Sequence, residues 1–127
     1  MYDVIIIGSG CSGYAAAMYC GRLSLKTLLI GDIDVCTIIL TDLVENYPCF
    51  VSFTGEELAG KLKKHAMQYG VKIISGIAAE IKKEKDCFKV SIKNKKYNSK
   101  TIIFATGTDH RKLNIPGENK FKNLGVH

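Results

Sequence analysis

The stretch Tyr2-Asp3-Val4-Ile5-Ile6-Ile7-Gly8-Ser9-Gly10-Cys11-Ser12-Gly13 decides how the rest of the chain is read. Asp3 to Ile7 is a β-branched run stopped by glycine, the pattern of a strand buried on both faces of a parallel sheet. A parallel neighbour needs a helical crossover, and Gly13 to Leu23 supplies it. Ala15, Ala16 and Ala17 favour helix and let it lie close on the sheet. Lys26 to Ile30 is a second buried strand, closing a βαβ unit of about thirty residues. Gly8 to Gly13 is a full GxGxxG between that strand and that helix. Gly8 permits the tight turn, Gly10 lets a pyrophosphate approach the backbone, and Gly13 lets helix and strand pack closely. The phosphates would sit on the positive helix end. Asp32, nineteen residues after Gly13, stands where a carboxylate accepts ribose hydroxyls. Two plainer readings stay open: a ligand-free glycine turn, and an ordinary loop carboxylate at Asp32, because Gly31 occupies the more usual end-of-strand position.

Outward from this unit, residues 31–53 show no sustained period and contain Pro48, so they read as a long loop with one helical turn, a kind of segment that usually carries function. Thr54 and Glu57 have the spacing of a capping box. The helix they open places Leu58, Leu62, His65, Ala66 and Tyr69 at helical intervals and stops at Gly70. Val71 to Ile74 reads as a third short strand. From Ile77 the period becomes two, through Ala79 and Ile81, then Phe88, Val90 and Ile92, with turns at Lys85-Asp86 and Asn94-Lys95, which predicts a small antiparallel meander. Thr101 to Ala105 returns to the buried-strand pattern and ends in Thr106-Gly107.

Composition bounds the rest. With 46% hydrophobic and 24% charged residues, 127 residues fit one compact globular domain. Val4 to Ile7 is too short to span a bilayer and follows no charged leader, so a cytoplasmic protein without a membrane role is expected. The five cysteines, Cys11, Cys20, Cys36, Cys49 and Cys87, are odd in number and lack CxxC or CxxH spacing, which argues for reduced thiols rather than a disulfide framework or zinc site. The formal charge of +6 comes from lysines scattered between Lys61 and Lys122 without an aromatic-basic motif, so a solvated surface is expected and no nucleic acid. His65, His110 and His127 have no paired acid or nucleophile at a telling spacing.

Three further segments, Glu45-Asn46-Tyr47-Pro48, Ala105-Thr106-Gly107, and Arg111-Lys112-Leu113-Asn114-Ile115-Pro116-Gly117-Glu118, together with the opening Tyr2 to Gly10, resemble thioredoxin reductases of the low-molecular-weight type. The likeness runs along essentially the whole chain but covers only the first part of the family's two-domain protein. It implies an α/β, Rossmann-like FAD/NAD(P)-binding fold with a parallel sheet, crossover helices and a small antiparallel β-meander. It implies FAD as cofactor, with Asn46 at the flavin end and Thr106-Gly107 along the ribityl-pyrophosphate stretch. An asparagine amide can both donate and accept, as a flavin edge requires, and a glycine at a strand's carboxyl end allows close approach. Alignment back from Glu45-Asn46 puts Val35, Cys36 and Thr37 where the family has a Gly-Gly-Gln stretch wrapping the flavin. The resulting candidate set is Gly8, Ser9, Gly10, Cys11, Ser12, Gly13, Asp32, Thr37, Asn46, Thr106 and Gly107, with no catalytic residue and no metal ligand.

The departures carry expectations of their own. Val35, Cys36 and Thr37 put side chains where bare backbone should meet the cofactor. Cys11 and Ser12 replace proline and alanine of the family fingerprint, and Cys11 is read as a small packing residue rather than a reactive thiol. Cys49 replaces a glycine and is expected to be inert. A segment resembling Gly125-Val126-His127 leads, in the family, into a CxxC site and an NADPH-binding domain. Residues 1–115 are therefore expected to form an incomplete FAD-binding domain and 116–127 the start of a linker toward an NADPH/CxxC domain not seen in this sequence. In the parent enzyme, electrons would pass from NADPH through FAD to a dithiol and on to a thioredoxin-like protein; this chain alone is expected to be inactive. Its own partners would be FAD and either a complementary subunit or a second copy in a homodimer. Two rivals remain: a degenerate or split-subunit binding module without catalysis, and an NAD-binding dehydrogenase domain favoured only by GxGxxG and Asp32.

Overall fold

A computed structural model describes residues 1–33, 36–109, 111–121 and 124. Strand β1 (Tyr2–Ile7) leads into helix α1 (Cys11–Arg22), strand β2 (Thr27–Ile30), a 3₁₀ turn (Thr37–Leu40), helix α2 (Gly55–Gln68) and strand β3 (Lys72–Ile74). Strands β4 (Glu80–Lys83), β5 (Phe88–Ile92) and β6 (Lys95–Phe104) follow, then a short helix α3 (Glu118–Phe121). The strands order as β3-β2-β1-β6-β5-β4. β1 pairs in parallel with β2 and with β6, and β2 with β3, whereas β4, β5 and β6 pair antiparallel.

Both faces of β1 and β2 are covered, which explains their unbroken apolar runs. Side chains alternate along a strand, so Val4, Ile6 and Leu29 meet Tyr14 and Ala17 of α1 and Ala66 of α2 on one face. Ile5, Ile7, Leu28 and Ile30 meet Val90 and Ile92 of β5 on the other. The expected α/β class is thus realised with helices on one side and the meander on the other. Each buried isoleucine or leucine contributes about 1.5–3 kcal/mol, and Ile5, Ile6, Leu28 and Leu29 are all completely buried.

Two expectations need correction. Thr101 to Ala105 is not a separate buried strand; it continues the ten-residue β6 that begins at Lys95. Its pairing with β5 ends at Ser99, while pairing with β1 runs on to Phe104. The outer edge of this half is therefore uncovered among the described residues, and Ile103 and Phe104 are 36% and 66% exposed. Helix α1 also starts two residues earlier than expected, so the second half of the glycine fingerprint forms its first turn.

The loop after β2 contains a helical turn, Thr37–Leu40, as expected. That turn docks on the start of α2: the Gly55 amide donates to the Thr41 carbonyl at 2.9 Å, and a Cβ on Gly55 would lie 1.6 Å from the Ile38 carbonyl oxygen. α2 itself opens with the predicted capping box, the Glu57 amide donating to Thr54 Oγ1 at 3.2 Å and the Thr54 amide to Glu57 Oε2 at 2.9 Å. Farther along the loop, Val44 bridges Phe53, and Phe50 meets Phe53 edge-on at 5.0 Å.

Candidate functional site

Chain order reverses direction across the sheet between β1 and β6, because β2 and β3 are laid on one side of β1 and β6 on the other. Ligands of open α/β sheets bind at such a switch point, outside the carboxyl ends of the strands. A cleft of about 1090 Å³ lies there, bounded by the ends of β1, β2 and β6 and the turns that follow them. That volume is at the upper end of small-molecule sites, roughly 300–1,000 Å³, and suits an elongated ligand.

The three fingerprint glycines do different work. Gly8 has φ +115, and a Cβ there would lie 2.0 Å from the Ala105 carbonyl oxygen, so the turn after β1 closes against the end of β6. A Cβ on Gly13 would lie 2.0 Å from the Gly8 carbonyl oxygen, which lets α1 rest on the turn. Gly10 is different: its φ is −79, ordinary for any residue, and among the described residues nothing stands within 4 Å of the place a Cβ would take. Backbone contacts within the fold account for glycine at 8 and 13 but not at 10, where the free space opens into the cleft.

Gly10 is also the N-cap of α1. No side chain caps this end and no acidic residue occupies the first turn, so the positive end of the helix meets no carboxylate of its own element. Burial raises the Cys11 thiol, as does the neighbouring Cys36 more weakly, against a lowering by its own amide. Burial pushes the Tyr14 phenol up to about 12. Both groups therefore stay neutral near neutral pH and leave the first turn of α1 suited to an anion.

Gly8, Ser9, Gly10, Cys11, Ser12, Asp32, Thr37, Thr106 and Gly107 all line the cleft. Gly13 lies behind it, under the turn. Asn46 does not line it; Asn46 faces a smaller cavity of about 500 Å³ with Tyr47 and Leu58. Cys11 and Ile38 border both spaces, so the two are neighbours. Gly107 has φ +72, a conformation that favours glycine. Val35, His110 and Gly125-Val126-His127 lie outside the described residues.

Several cleft residues escaped the sequence reading. A Cβ on Gly31 would lie 2.6 Å from the Ser9 amide nitrogen, so glycine ends β2 because the fingerprint turn crosses over it. Its position was visible; its reason needed the neighbouring loop. Gly76, Ile77 and Ala78, between β3 and β4, form another wall. The only local signal for them was a glycine at the change of period, and Gly76 indeed takes φ +145. Cys36 adopts φ −76 and ψ 143, so the backbone there does not require the glycine that the resemblance implied.

The model of the pyridine nucleotide-disulphide oxidoreductase family matches residues 2–127. Thioredoxin reductase of Bacillus subtilis is 38% identical across 99% of this chain and 40% of its own length. Thioredoxin reductase of Treponema pallidum is 38% identical across 98% of this chain and 41% of its own length. Among solved structures, thioredoxin reductase of Lactococcus lactis superposes with a TM-score of 0.86 at 38% identity, covering 95% of this chain and 40% of that one. The chain thus spans about two fifths of the length of the thioredoxin reductases it matches.

Proposed function

Because the chain belongs to the pyridine nucleotide-disulphide oxidoreductase family, whose cofactor is FAD, we propose that its cleft holds FAD as the flavin-binding part of a thioredoxin reductase-like enzyme. The observation that carries this reading is Gly10: a glycine demanded by no neighbour among the described residues, at a start of α1 that no side chain caps among them, facing the cleft. The amides of the first turn of α1 would take the pyrophosphate, Asp32 the adenosine ribose, and Thr106-Gly107 the ribityl stretch. Asn46, in the adjoining cavity, would meet the flavin end, with Cys11 and Ile38 as the partition the cofactor passes. Bound FAD would supply two-electron chemistry between a nicotinamide and a dithiol. This chain's own part is to bind the cofactor, orient it and shield one side of it from water. Residues 1–115 would form this flavin-binding unit and 116–127 the start of the connection to the NADPH-binding part of a complete enzyme, where a thioredoxin-like protein would be the substrate.

Titration of the purified chain with FAD and, separately, with ADP tests the reading. Saturable binding of both, with ADP displacing FAD, is expected. Absence of saturable binding by either ligand overturns it. NADPH and a disulfide substrate added to the FAD-loaded chain should give no turnover above free FAD. A second reading, a binding module completed by a complementary subunit, is favoured by the open edge of β6 beside Phe104; it expects a chain that takes up FAD only once that subunit is added.

A further inference from the structure

Two of the five cysteines, Cys11 and Cys36, line the cleft, and they come from different elements, α1 and the cap of the 3₁₀ turn. Cys11 is the first residue of α1 and packs in the same apolar cluster as Ile38, two residues beyond Cys36. Tyr14 follows Cys11 by three residues, so both project from one face of the helix. Cys36 caps the 3₁₀ turn that carries Ile38, so its residue stands on the same wall of the cleft as the start of α1. The remaining cysteines sit elsewhere: Cys20 near the end of α1, Cys49 exposed in the aromatic loop, and Cys87 before β5, where its thiol donates to Glu84.

We propose that Cys11 and Cys36 form a redox-active thiol pair whose reversible disulfide closes the cleft. The closure rests on the FAD reading above; the pairing does not. The oxidant is a low-molecular-weight disulfide. One cysteine thiolate attacks it, forming a mixed disulfide and expelling one thiolate; the other then attacks the protein sulfur and expels the second. Two electrons pass from the protein dithiol to the small disulfide, which leaves as two thiols, and a dithiol reductant reverses the exchange. A disulfide holds its Cα atoms roughly 4.4–6.8 Å apart, so the bridge seats the Cys36 segment on the first turn of α1, over the space beside Gly10. Oxidation then removes the place where the pyrophosphate would lie. Cys11, whose burial keeps it protonated, makes the exchange slow near neutral pH and faster as pH rises.

The test incubates the full chain with excess oxidised glutathione, blocks free thiols with N-ethylmaleimide and maps the peptides by mass. A linked peptide containing Cys11 and Cys36 is expected, absent in Cys36→Ser and retained in Cys49→Ser and Cys87→Ser. FAD affinity should fall at least tenfold on oxidation and recover with dithiothreitol, whereas that of Cys36→Ser should not respond to oxidant. Modification of both thiols by maleimide, or scrambled links to Cys20, Cys49 or Cys87, overturns the pairing. A correct link with unchanged FAD affinity overturns the closure. A correct link in a chain whose reduced form binds neither FAD nor ADP upholds the pairing and fails the cofactor assignment instead.

Discussion

Two loops build the cleft, and they are built on different principles. The turn from Gly8 to Gly13 is fixed by backbone against backbone: Gly8 under Ala105, Gly13 under Gly8, Gly31 under Ser9. The described part of the loop from Gly31 to Phe53 is held by a 3₁₀ turn on α2, a bridge between Val44 and Phe53, and a cluster of aromatic rings. The first loop has no freedom to vary where the fold needs glycine. The second accommodates Cys36 in an ordinary backbone conformation, φ −76 and ψ 143, and its contacts are made largely by side chains that can be repacked. The difference separates two kinds of glycine and two kinds of mutational response.

The sharpest way to break the comparison is Gly8→Ala. A methyl 2.0 Å from the Ala105 carbonyl at φ +115 cannot be accommodated without moving β1 or β6, so a loss of about 3 kcal/mol or more is expected, read as insoluble protein or a collapsed denaturation midpoint. Normal stability would show that the turn is less constrained than its backbone contacts imply. Gly10→Val should do the opposite. With open space at the Cβ position, thermal stability should fall by no more than about 1 kcal/mol, the cost of a poorer N-cap, while FAD and ADP affinity fall about 100-fold or more, on the order of 3 kcal/mol of lost phosphate hydrogen bonds. Unchanged affinity in isothermal titration would detach the fingerprint from nucleotide binding.

Smaller and graded effects are expected in the second loop. Cys36→Gly combined with Thr37→Gln should raise FAD affinity a few-fold, worth about 1 kcal/mol or one hydrogen bond, and leave ADP affinity alone. Equal gains for both ligands would mean that this loop touches the adenosine end. Smallest is Cys49→Gly. Cys49 holds φ +73, a left-handed conformation costing a non-glycine residue roughly 1 kcal/mol, so the variant should gain up to about 1 kcal/mol in urea denaturation. A loss instead would show that the thiol contributes packing that outweighs the strain.

What the sequence determined by itself is the part governed by local rules. The strand-glycine-helix order marked β1, the turn and α1 because the change of residue type along the chain signals each of them, although the turn itself closes on the distant Ala105. The capping box at Thr54 and the period-two meander were equally local, and both appear as read. The candidate residues from Gly8 to Ser12, with Asp32, Thr37, Thr106 and Gly107, came together because strand ends in a parallel sheet must share one edge. Tertiary structure alone decided the rest. It joined Thr101–Phe104 to the meander as one strand with an open edge, since pairing partners far apart in sequence set where a strand is covered. It set Asn46 in an adjoining cavity, brought Gly76 to Ala78 to the wall, and gave Gly31 its reason in Ser9. Each of these depends on an atom from a distant segment, and no local pattern of residues encodes a distance between two loops.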